Sequence, residues 1–289
     1  GLAPESLAAT IPPHALPHDD PPQAMGLVEF GAGSAVLSFV ATTRGWTATP
    51  VDHQHHRHKQ RITCVVLDLT KACDQQRATK LALDPGVSFI WFGIPCGTLT
   101  AARERRISQA LQNSGVPDPQ PLRSQDHPWG LPNLRSCPPF LANDANKVES
   151  ANKFISWAGS LIPKLEEAGK QWAVENPKNS WLWRLKPFVA LASRPSSHLV
   201  TFHACMHGGC RDKATSLLTN AAALQSLAIL CDKKHTHKPW GVVRGTSGQR
   251  EFASAQEAEY PEILCNRILE AMEGGRGAQA SAAAPVPMQ

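Results

Sequence analysis

The stretch that decides the fold is Leu27-Val28-Glu29-Phe30-Gly31-Ala32-Gly33-Ser34-Ala35. Its first four residues predict a β-strand, and the two glycines predict a tight turn whose backbone can approach a ligand closely. Residues 35–43 then have the pattern of a helix. The stretch therefore predicts a strand, a glycine turn and a helix, an arrangement that nucleotide-binding α/β domains use.

Further apolar segments alternate with helical patterns along the chain, which indicates a parallel sheet with helices on both faces. Residues 87–92 are apolar on both faces, as expected of a central strand. The other predicted strands are residues 47–51, 64–67, 171–174, 199–203 and 214–218, and two predicted helices span residues 147–168, with an interruption near Pro163, and 254–272. We therefore expect an α/β fold with a mostly parallel central sheet.

The composition is that of a globular protein. Of the 289 residues, 42% are hydrophobic and 18% are charged, and the net charge is +5. The positive charge suits a nucleic-acid partner without requiring one. The longest apolar run is too short to cross a bilayer and the first residues lack a signal-peptide pattern, so we expect no membrane partner. Eight cysteines without framework spacing predict reduced thiols and an intracellular location, nuclear in a eukaryote.

The distribution of proline, glycine and alanine predicts the domain boundaries. Residues 1–25 form a Pro-rich leader and residues 274–289 a Gly- and Ala-rich tail, both predicted to be unstructured. Residues 26–273 are the predicted domain. Within it, residues 112–143 are polar and Pro-rich, which predicts an inserted loop or lid.

The glycine turn does not match a dinucleotide-binding fingerprint. That fingerprint requires a small residue three positions after Gly33, and this position is Val36. NAD and FAD are therefore not favoured. The alternative without a ligand is an ordinary strand-turn-helix unit in which Ser34 caps the helix.

Three carboxylates surround the turn in the sequence. The turn itself has the pattern Glu29-x-Gly31-x-Gly33, and Asp52 follows the next predicted strand, where a carboxylate can accept hydrogen bonds from ribose hydroxyls. Asp68 follows the third strand and could accept from an adenine amine. This arrangement resembles the S-adenosylmethionine site of Rossmann-like methyltransferases.

Two further segments follow predicted strands and carry reactive residues. One is Gly93-Ile94-Pro95-Cys96-Gly97 and the other is Trp172-Ala173-Val174-Glu175-Asn176-Pro177. Together with the glycine turn they resemble the cytosine-C5 methyltransferase family, which has a Pro-Cys dipeptide after its fourth strand and a Glu-Asn dipeptide after its fifth. The resemblance extends over about residues 27–270.

The resemblance implies a Rossmann-like methyltransferase fold and S-adenosyl-L-methionine as cofactor. Cys96 would be the nucleophile and Glu175 its acid partner. A third segment, residues 205–215, resembles the basic segment after the sixth strand of the family, so Arg211 would be a further catalytic residue. Asn176 and Lys213 would bind the substrate, and the residues implied at the cofactor are Glu29, Phe30, Gly31, Gly33, Asp52, Asp68 and Pro95.

The implied partner is nucleic acid, with DNA favoured over RNA. The chain departs from the family at Gly97, where the family usually has glutamine, and only residues 220–250 remain where the family has a target-recognition domain. It also resembles diverged methyltransferase-like domains of mobile-element polyproteins, which implies further domains in a longer polypeptide. Two alternatives therefore stay open: a degenerate nucleic-acid-binding module, and a methyltransferase of another class without covalent catalysis.

Two histidine-rich segments and a pair of tryptophans have alternative interpretations. His53, His55, His56 and His58 lie among basic residues, which favours a solvated loop, or a positive rim for phosphates, over a metal site. The segment Cys231-x3-His235-x-His237 is a zinc half-site that Cys205, His207 or Cys210 could complete, but we favour a polar loop there and predict no metal. Trp181 and Trp183 could stack on a base, although core packing is favoured for Trp183.

Overall fold

A computed structural model describes residues 24–54, 59–113, 118–136, 139–244, 248 and 250–282 of the chain. Its centre is a seven-stranded sheet. The strands are β1 (Gly26–Phe30), β2 (Thr47–Asp52), β3 (Val65–Val66), β4 (Phe89–Gly93), β5 (Gln171–Pro177), β6 (His198–His203) and β7 (Ala214–Thr219). The domain is therefore α/β with a central sheet, as predicted.

The strands lie in the order β3-β2-β1-β4-β5-β7-β6. The five strands from β3 to β5 are parallel, whereas β7 pairs antiparallel with both β5 and β6. The order reverses between β1 and β4, where the chain leaves the sheet in opposite directions. In open α/β sheets, ligands bind at such a switch point, beyond the carboxyl ends of the strands.

Helices cover both faces of the sheet. The α-helices are α1 (Val36–Thr43), α2 (Ala72–Ala82), α3 (Gln109–Asn113), α4 (Pro139–Glu167), α5 (Lys186–Ala192), α6 (Ala253–Gln256) and α7 (Glu262–Ala282). Apolar residues of α2, α4 and α5 form one core cluster, and those of α1 and α7 form another on the opposite face. A separate hairpin joins β8 (Val242–Arg244) to β9 (Arg250–Phe252).

Strand β4 contributes side chains to both core clusters. Ile90 and Phe92 belong to the cluster beneath α4, while Phe89 and Trp91 belong to the cluster beneath α1 and α7. Successive side chains of a strand point to opposite faces, so a strand in the middle of a two-sided sheet must be apolar throughout. The apolar run at residues 87–92 therefore correctly identified the central strand.

Some element boundaries differ from those that the sequence predicted. Helix α4 begins at Pro139 rather than at residue 147, and it continues through Pro163 without the predicted interruption. Ile155, Ile162 and Leu165 of this helix are fully buried, and this packing outweighs the backbone hydrogen bond that a proline removes.

The last helix also differs from its predicted limits. Residues 253–256 form the separate short helix α6, and α7 runs from Glu262 to Ala282. The described helix therefore continues past residue 274, where the sequence predicted an unstructured tail to begin. The leader falls almost entirely on residues 1–23, which lie outside the described residues.

The segment predicted to be an inserted loop or lid is anchored to the domain in its described parts. Residues 118–136 have turns without strands, and Leu122 and Leu134 pack against Ala145 and Val148 of α4. Arg123 from the same segment is almost completely buried. Residues 139–143 of the predicted insertion belong to α4.

Candidate active site

The glycine turn between β1 and α1 is shaped by backbone contacts. Gly31 and Gly33 both have left-handed φ values, of +68° and +56°. The N–H groups of Gly31 and Ala32 donate to the carbonyl of Val51 at 3.0 and 3.2 Å. A Cβ atom on Gly31 would lie 2.3 Å from the carbonyl oxygen of Gly93. Glycine is therefore required here because the ends of β1 and β4 approach each other so closely.

A third left-handed residue completes the turn. Ala35, immediately before α1, has φ +56° and is fully buried. A left-handed alanine is unfavourable by about 1–2 kcal/mol, so the surrounding structure must impose this conformation. Ser34 does not cap the helix through its side chain, because the residue at the cap position is Ala35 and no side-chain hydrogen bond is present there.

Asp52 closes the turn from the end of β2. Its Oδ2 accepts a hydrogen bond from the Gly33 N–H at 2.7 Å, and its Oδ1 accepts from the His53 N–H at 2.7 Å. The structure therefore brings Asp52 to the glycine turn, as predicted from the sequence. A carboxylate has about four acceptor sites, so these two hydrogen bonds use about half of them.

Glu29 lies beneath the turn and is fully buried. Its Oε2 accepts from the backbone N–H of Ser38 at 3.0 Å and from the Ser38 hydroxyl at 2.5 Å. Its Oε1 is buried and has no hydrogen-bond partner among the described residues. Burial raises the pKa of Glu29 to about 7, although the Ser38 hydrogen bonds act in the opposite direction.

Asp68 and Phe30 were also predicted at the cofactor. Asp68 follows β3, and its Oδ1 accepts from the backbone and hydroxyl of Thr70 at 3.1 and 2.7 Å. Burial acts to raise the pKa of Asp68, but the hydrogen bonds from Thr70 and the cation of Lys71 outweigh it and lower the pKa. Phe30 is fully buried, and the centroid of its ring lies 5.0 Å from that of the Trp157 ring. Only the backbone of Phe30 therefore lies at the turn.

The Pro95-Cys96 segment follows β4 directly. Pro95 is exposed, and the half-buried residue Cys96 begins a short 3-10 helix, Cys96–Thr98. Two arginines hold this helix. Arg103 Nε donates to the Gly97 carbonyl at 2.8 Å, and the buried Arg123 donates to the carbonyl and hydroxyl of Thr98 at 3.0 and 3.1 Å. Both arginines therefore hold the loop that carries the thiol in place.

Asn176 holds the same loop from β5. It is fully buried, and its Nδ2 donates to the Ile94 carbonyl at 2.8 Å. Its Oδ1 has no hydrogen-bond partner among the described residues. The residue predicted to bind substrate thus links β5, which carries Glu175, to the loop that leads to Cys96, and its Oδ1 remains without a partner in the described part of the chain.

Glu175 lies opposite Gly93 in the pairing of β4 with β5, and only 7% of its surface is exposed. Its Oε1 is 3.6 Å from Nζ of Lys213, and its Oε2 accepts from the hydroxyl of Tyr260 at 3.2 Å. Lys213 precedes the first residue of β7, so the antiparallel strand brings the lysine beside Glu175. The carboxylate is therefore paired with a cation and bound by a hydroxyl donor.

The thiol belongs to the same electrostatic group. Burial raises the pKa of the Cys96 thiol, the positive charge of Lys213 lowers it, and the negative charge of Glu175 raises it further. Burial would lower the pKa of Lys213, but the negative charges of Glu175 and Cys96 outweigh burial and raise it. Cys96, Glu175 and Lys213, which are distant in the sequence, therefore form one interacting cluster, which we call the reaction cluster.

Arg211 has a different environment from Lys213. It is almost completely buried, and its nitrogens donate to the Pro239 carbonyl at 3.0 Å, to Glu257 at 2.7 Å and to Gln256 at 3.1 Å. These contacts attach the segment after β6 to the region around α6. Of the two basic residues predicted at the site, Lys213 is the one that pairs with Glu175.

Tyr260 was not recognised from the sequence. Its hydroxyl accepts from the Trp91 indole at 3.2 Å while donating to Glu175. Burial and the Glu175 carboxylate raise the pKa of Tyr260 well above its ordinary value, so the hydroxyl stays protonated. The available signal was its uniqueness, since Tyr260 is the only tyrosine in the chain.

The segment that carries Tyr260 also lines a small pocket, with room for about one water molecule, beside the Glu175–Lys213 pair. Glu175 and Lys213 line this pocket. Residues of the segment before α7 also line it, namely Glu257, Glu259, Tyr260 and Pro261. Lys213 Nζ donates to the Glu257 carbonyl at 3.1 Å. The segment 257–261 therefore covers the Glu175–Lys213 pair on one side.

The glycine turn and the reaction cluster are neighbours. Gly93 contacts Gly31 across the switch point, and a Cβ on Gly93 would lie 2.9 Å from the Gly31 carbonyl oxygen and 3.1 Å from the Tyr260 hydroxyl. Gly93 is also the partner of Glu175 in the sheet. The sequence placed these residues at one edge of the sheet, and in the structure they lie there side by side.

The two tryptophans that could stack on a base are part of the core packing. Trp181 and Trp183 pack partly buried against the core beneath α4, and the Trp183 indole donates to the Pro177 carbonyl at 2.9 Å. His53 is described and exposed, whereas residues 55–58 lie outside the described residues.

Neither a protein-family model nor a curated protein matches this sequence. In the described parts of the chain, no helix has the length and apolar character needed to cross a membrane. The function must therefore be argued from the site itself.

Proposed function

We propose that the chain is an S-adenosyl-L-methionine-dependent methyltransferase that methylates cytosine at C5 in nucleic acid, with Cys96 as the nucleophile. The observation that carries the proposal is the reaction cluster. The Glu175 carboxyl group on β5 is paired with the Lys213 ammonium group, next to Gly93 and the glycine turn, and both act electrostatically on the Cys96 thiol that follows β4. These are the groups that addition of a thiol to a cytosine ring requires.

The site residues fit the proposed cofactor. The turn has left-handed residues at the switch point, and the buried Oε1 of Glu29 lacks a partner among the described residues, as a group awaiting a polar ligand would. Gly31, Gly33, Asp52 and Asp68 would hold the nucleoside part. The antiparallel β7 departs from the dinucleotide-binding order 3-2-1-4-5-6, which agrees with a cofactor other than NAD. S-adenosyl-L-methionine would supply an electrophilic methyl group.

The chemistry follows from the weak nucleophilicity of C5 in cytosine. The Cys96 thiolate forms a bond to C6, and the ring electron pair moves to C5, which then accepts the methyl group. Glu175 donates a hydrogen bond or proton at N3 and so neutralises the charge that develops there. Transfer of the methyl group to C5 would break the carbon–sulfur bond of the sulfonium and leave a neutral thioether. Transfer of the C5 proton to water, return of the N3 proton to Glu175 and release of the Cys96 thiolate would then restore the ring.

Lys213 and Tyr260 have supporting roles in this scheme. The lysine cation lowers the pKa of Cys96 and so favours the reactive thiolate. The Tyr260 hydroxyl fixes the orientation of Glu175 by donating to Oε2. The target base would have to leave the helix stack to reach Cys96. The net charge of +5 and the resemblance favour DNA as the partner.

A nucleic-acid-binding module without catalysis is the competing function. The observation that favours it is the net effect of burial on Cys96, which raises the pKa of the thiol despite the neighbouring lysine. Asp52 and Asp68 also already accept hydrogen bonds from Gly33 and Thr70 of this chain, which favours the module without catalysis. A methyltransferase of another class, in which the Pro95-Cys96 loop only shapes a pocket, is the remaining alternative.

The variant Cys96→Ser tests the proposal. Transfer of a labelled methyl group to cytosine-containing DNA should fall by about 10³-fold or more, because the nucleophile is lost. Cofactor binding, measured by calorimetry, should be retained. Cys73→Ser is the matched control, since Cys73 is an exposed thiol on α2.

Three other results would favour the alternatives. Unchanged methyl transfer by Cys96→Ser would indicate a methyltransferase without covalent catalysis. A wild-type chain that binds DNA but not the cofactor would indicate the non-catalytic module. Faster transfer to an RNA of the same sequence than to DNA would change the substrate class.

A further inference from the structure

Four potential metal ligands that the reaction cluster does not include meet at the end of β6. Cys205 lies in the 3-10 helix Ala204–His207 that follows β6, and Cys231, His235 and His237 lie on the loop after the 3-10 helix Ala222–Leu227. One ligand atom from each, a sulfur from both cysteines and a ring nitrogen from both histidines, lies within 4.8 Å of all the others. We call this group the Cys2His2 cluster.

The distances agree with tetrahedral coordination. The Cys231 Sγ atom is 3.5 Å from Nε2 of His237 and 3.9 Å from Nε2 of His235, and the two Nε2 atoms are 3.0 Å apart. Zinc binds sulfur at about 2.3 Å and nitrogen at about 2.0–2.1 Å, so tetrahedral ligand atoms are separated by roughly 3.3–3.8 Å. The cluster therefore needs only small adjustments to hold a zinc ion.

The surrounding groups orient the ligands. Asp232 Oδ1 is 3.4 Å from Nδ1 of His235, which leaves Nε2 directed at the cluster. Metal-binding histidines commonly have such a carboxylate on the other ring nitrogen. The backbone N–H of Lys233 donates to the Cys231 sulfur at 3.3 Å, and Lys233 has a left-handed φ of +59°. A non-glycine residue in that conformation is uncommon, and here it lies in the loop that carries three of the four ligands.

The geometry selects Cys205 from the three candidates for the fourth ligand. His207 is fully buried, with Nε2 3.1 Å from the Leu227 carbonyl and Nδ1 3.1 Å from Arg267. Cys210 is exposed and does not belong to the cluster. Cys205 and Cys231 lie close enough for their thiols to share a hydrogen bond. The two sulfurs therefore face each other across the site.

We propose that Cys205, Cys231, His235 and His237 bind one zinc ion in a structural site. All four tetrahedral positions are taken by protein ligands, so no position is open for substrate or water, as is typical of structural zinc. Both cysteines bind as thiolates and both histidines as neutral imidazoles, so binding of Zn²⁺ releases two thiol protons and gives a neutral site. The prediction of no metal is replaced by this proposal.

The position of the site indicates what the metal would do. It fastens the loop 231–237 to the end of β6, and the same loop continues to Lys238, whose N–H donates to the Cys210 carbonyl at 2.9 Å. Trp240 then donates to Asp212 at 2.8 Å. The zinc site would therefore stabilise the segment 210–213 that carries Lys213. This role does not depend on the proposed methyltransferase activity.

Metal analysis of the purified 289-residue chain, expressed with added zinc, tests the proposal. We expect one zinc per chain for the wild type, and less than about a tenth of that for Cys231→Ser and Cys205→Ser. Cys210→Ser removes a cysteine from the same segment and should keep the full zinc content. Wild-type chain without zinc, Cys231→Ser with unchanged zinc, or a disulfide between Cys205 and Cys231 in the wild type would each overturn the proposal.

Cobalt substitution gives a second measurement that does not require the variants to fold. Wild-type protein treated with a chelator and then with Co²⁺ should show the intense visible absorption of tetrahedral cobalt together with a thiolate charge-transfer band. A weak octahedral spectrum, or no spectrum, would contradict the site. Chelation should also lower the melting temperature of the wild type, and added zinc should restore it.

Discussion

The glycine turn and the reaction cluster lie side by side at one edge of the sheet, but they are built differently. The turn is made of backbone, with left-handed residues and N–H groups bound to Val51 and Asp52. The reaction cluster is made of side chains that three strands and the segment before α7 bring together. Changes in the turn should therefore act on folding and cofactor binding, whereas changes in the cluster should act on the reaction.

After Cys96, the largest effect is expected at Glu175. Glu175→Gln keeps an acceptor for Tyr260 but removes the acid, so methyl transfer should fall by about 10²–10⁴-fold while cofactor binding persists. Initial rates with labelled cofactor and calorimetric titration measure the two effects. Glu167→Gln, at an exposed position at the end of α4, should leave both unchanged. If Glu175→Gln loses cofactor binding but keeps its rate at saturating cofactor, Glu175 acts in cofactor binding and not in the reaction.

A matched pair of variants tests the turn. Gly31→Ala places a methyl group 2.3 Å from the Gly93 carbonyl oxygen at a left-handed φ, so unfolding free energy should fall by about 2–4 kcal/mol. Ala35→Gly relieves a left-handed alanine but loses a buried methyl and adds unfolded-state entropy, so it should stay within about 1 kcal/mol of wild type. Urea denaturation measures both. Equal stability of the two variants would contradict the close packing of Gly31 against the Gly93 carbonyl.

The buried carboxyl group of Glu29 gives a pH dependence of stability. Its pKa is about 7 in the folded protein and 4.5 ordinarily, so the folded state keeps a proton that the unfolded chain releases. Stability should therefore decrease as the pH rises from about 5 to about 7, by up to about 3 kcal/mol.

The variant Glu29→Gln cannot ionise and should lose this dependence. Its stability relative to wild type should increase by up to about 3 kcal/mol between about pH 5 and about pH 8. Urea denaturation at the two pH values measures the difference. Parallel changes in both proteins would assign the pH dependence to other groups.

The sequence predicted the features whose determinants are local. The strand and turn at residues 27–33 and the two-sided apolar strand at residues 87–92 follow from residue type and periodicity, and the structure has both. The placement of Asp52 at the turn also followed from the position of the residue after a strand. Such features can be predicted from the residue types in a short segment together with the general geometry of a parallel sheet.

The contacts that the sequence did not reveal join distant residues. Tyr260 donates to Glu175 across 85 positions, and the pairing of Lys213 with Glu175 depends on β7 running antiparallel beside β5. Arg211 and Lys213 are two residues apart and equally basic, yet only the packing around Glu257 shows which one reaches Glu175. Residue type alone does not distinguish such neighbours.

The central claim is that Cys96 forms a covalent bond to cytosine, and a 5-fluorocytosine oligonucleotide tests it most directly. Fluorine at C5 cannot leave as a proton does, so the thiol should remain attached to the base after methyl transfer. We predict a stable protein–DNA adduct that requires S-adenosyl-L-methionine, maps to Cys96 by mass spectrometry and is absent in Cys96→Ser. Methyl transfer to ordinary DNA without any adduct, or an adduct on another cysteine, would contradict the account.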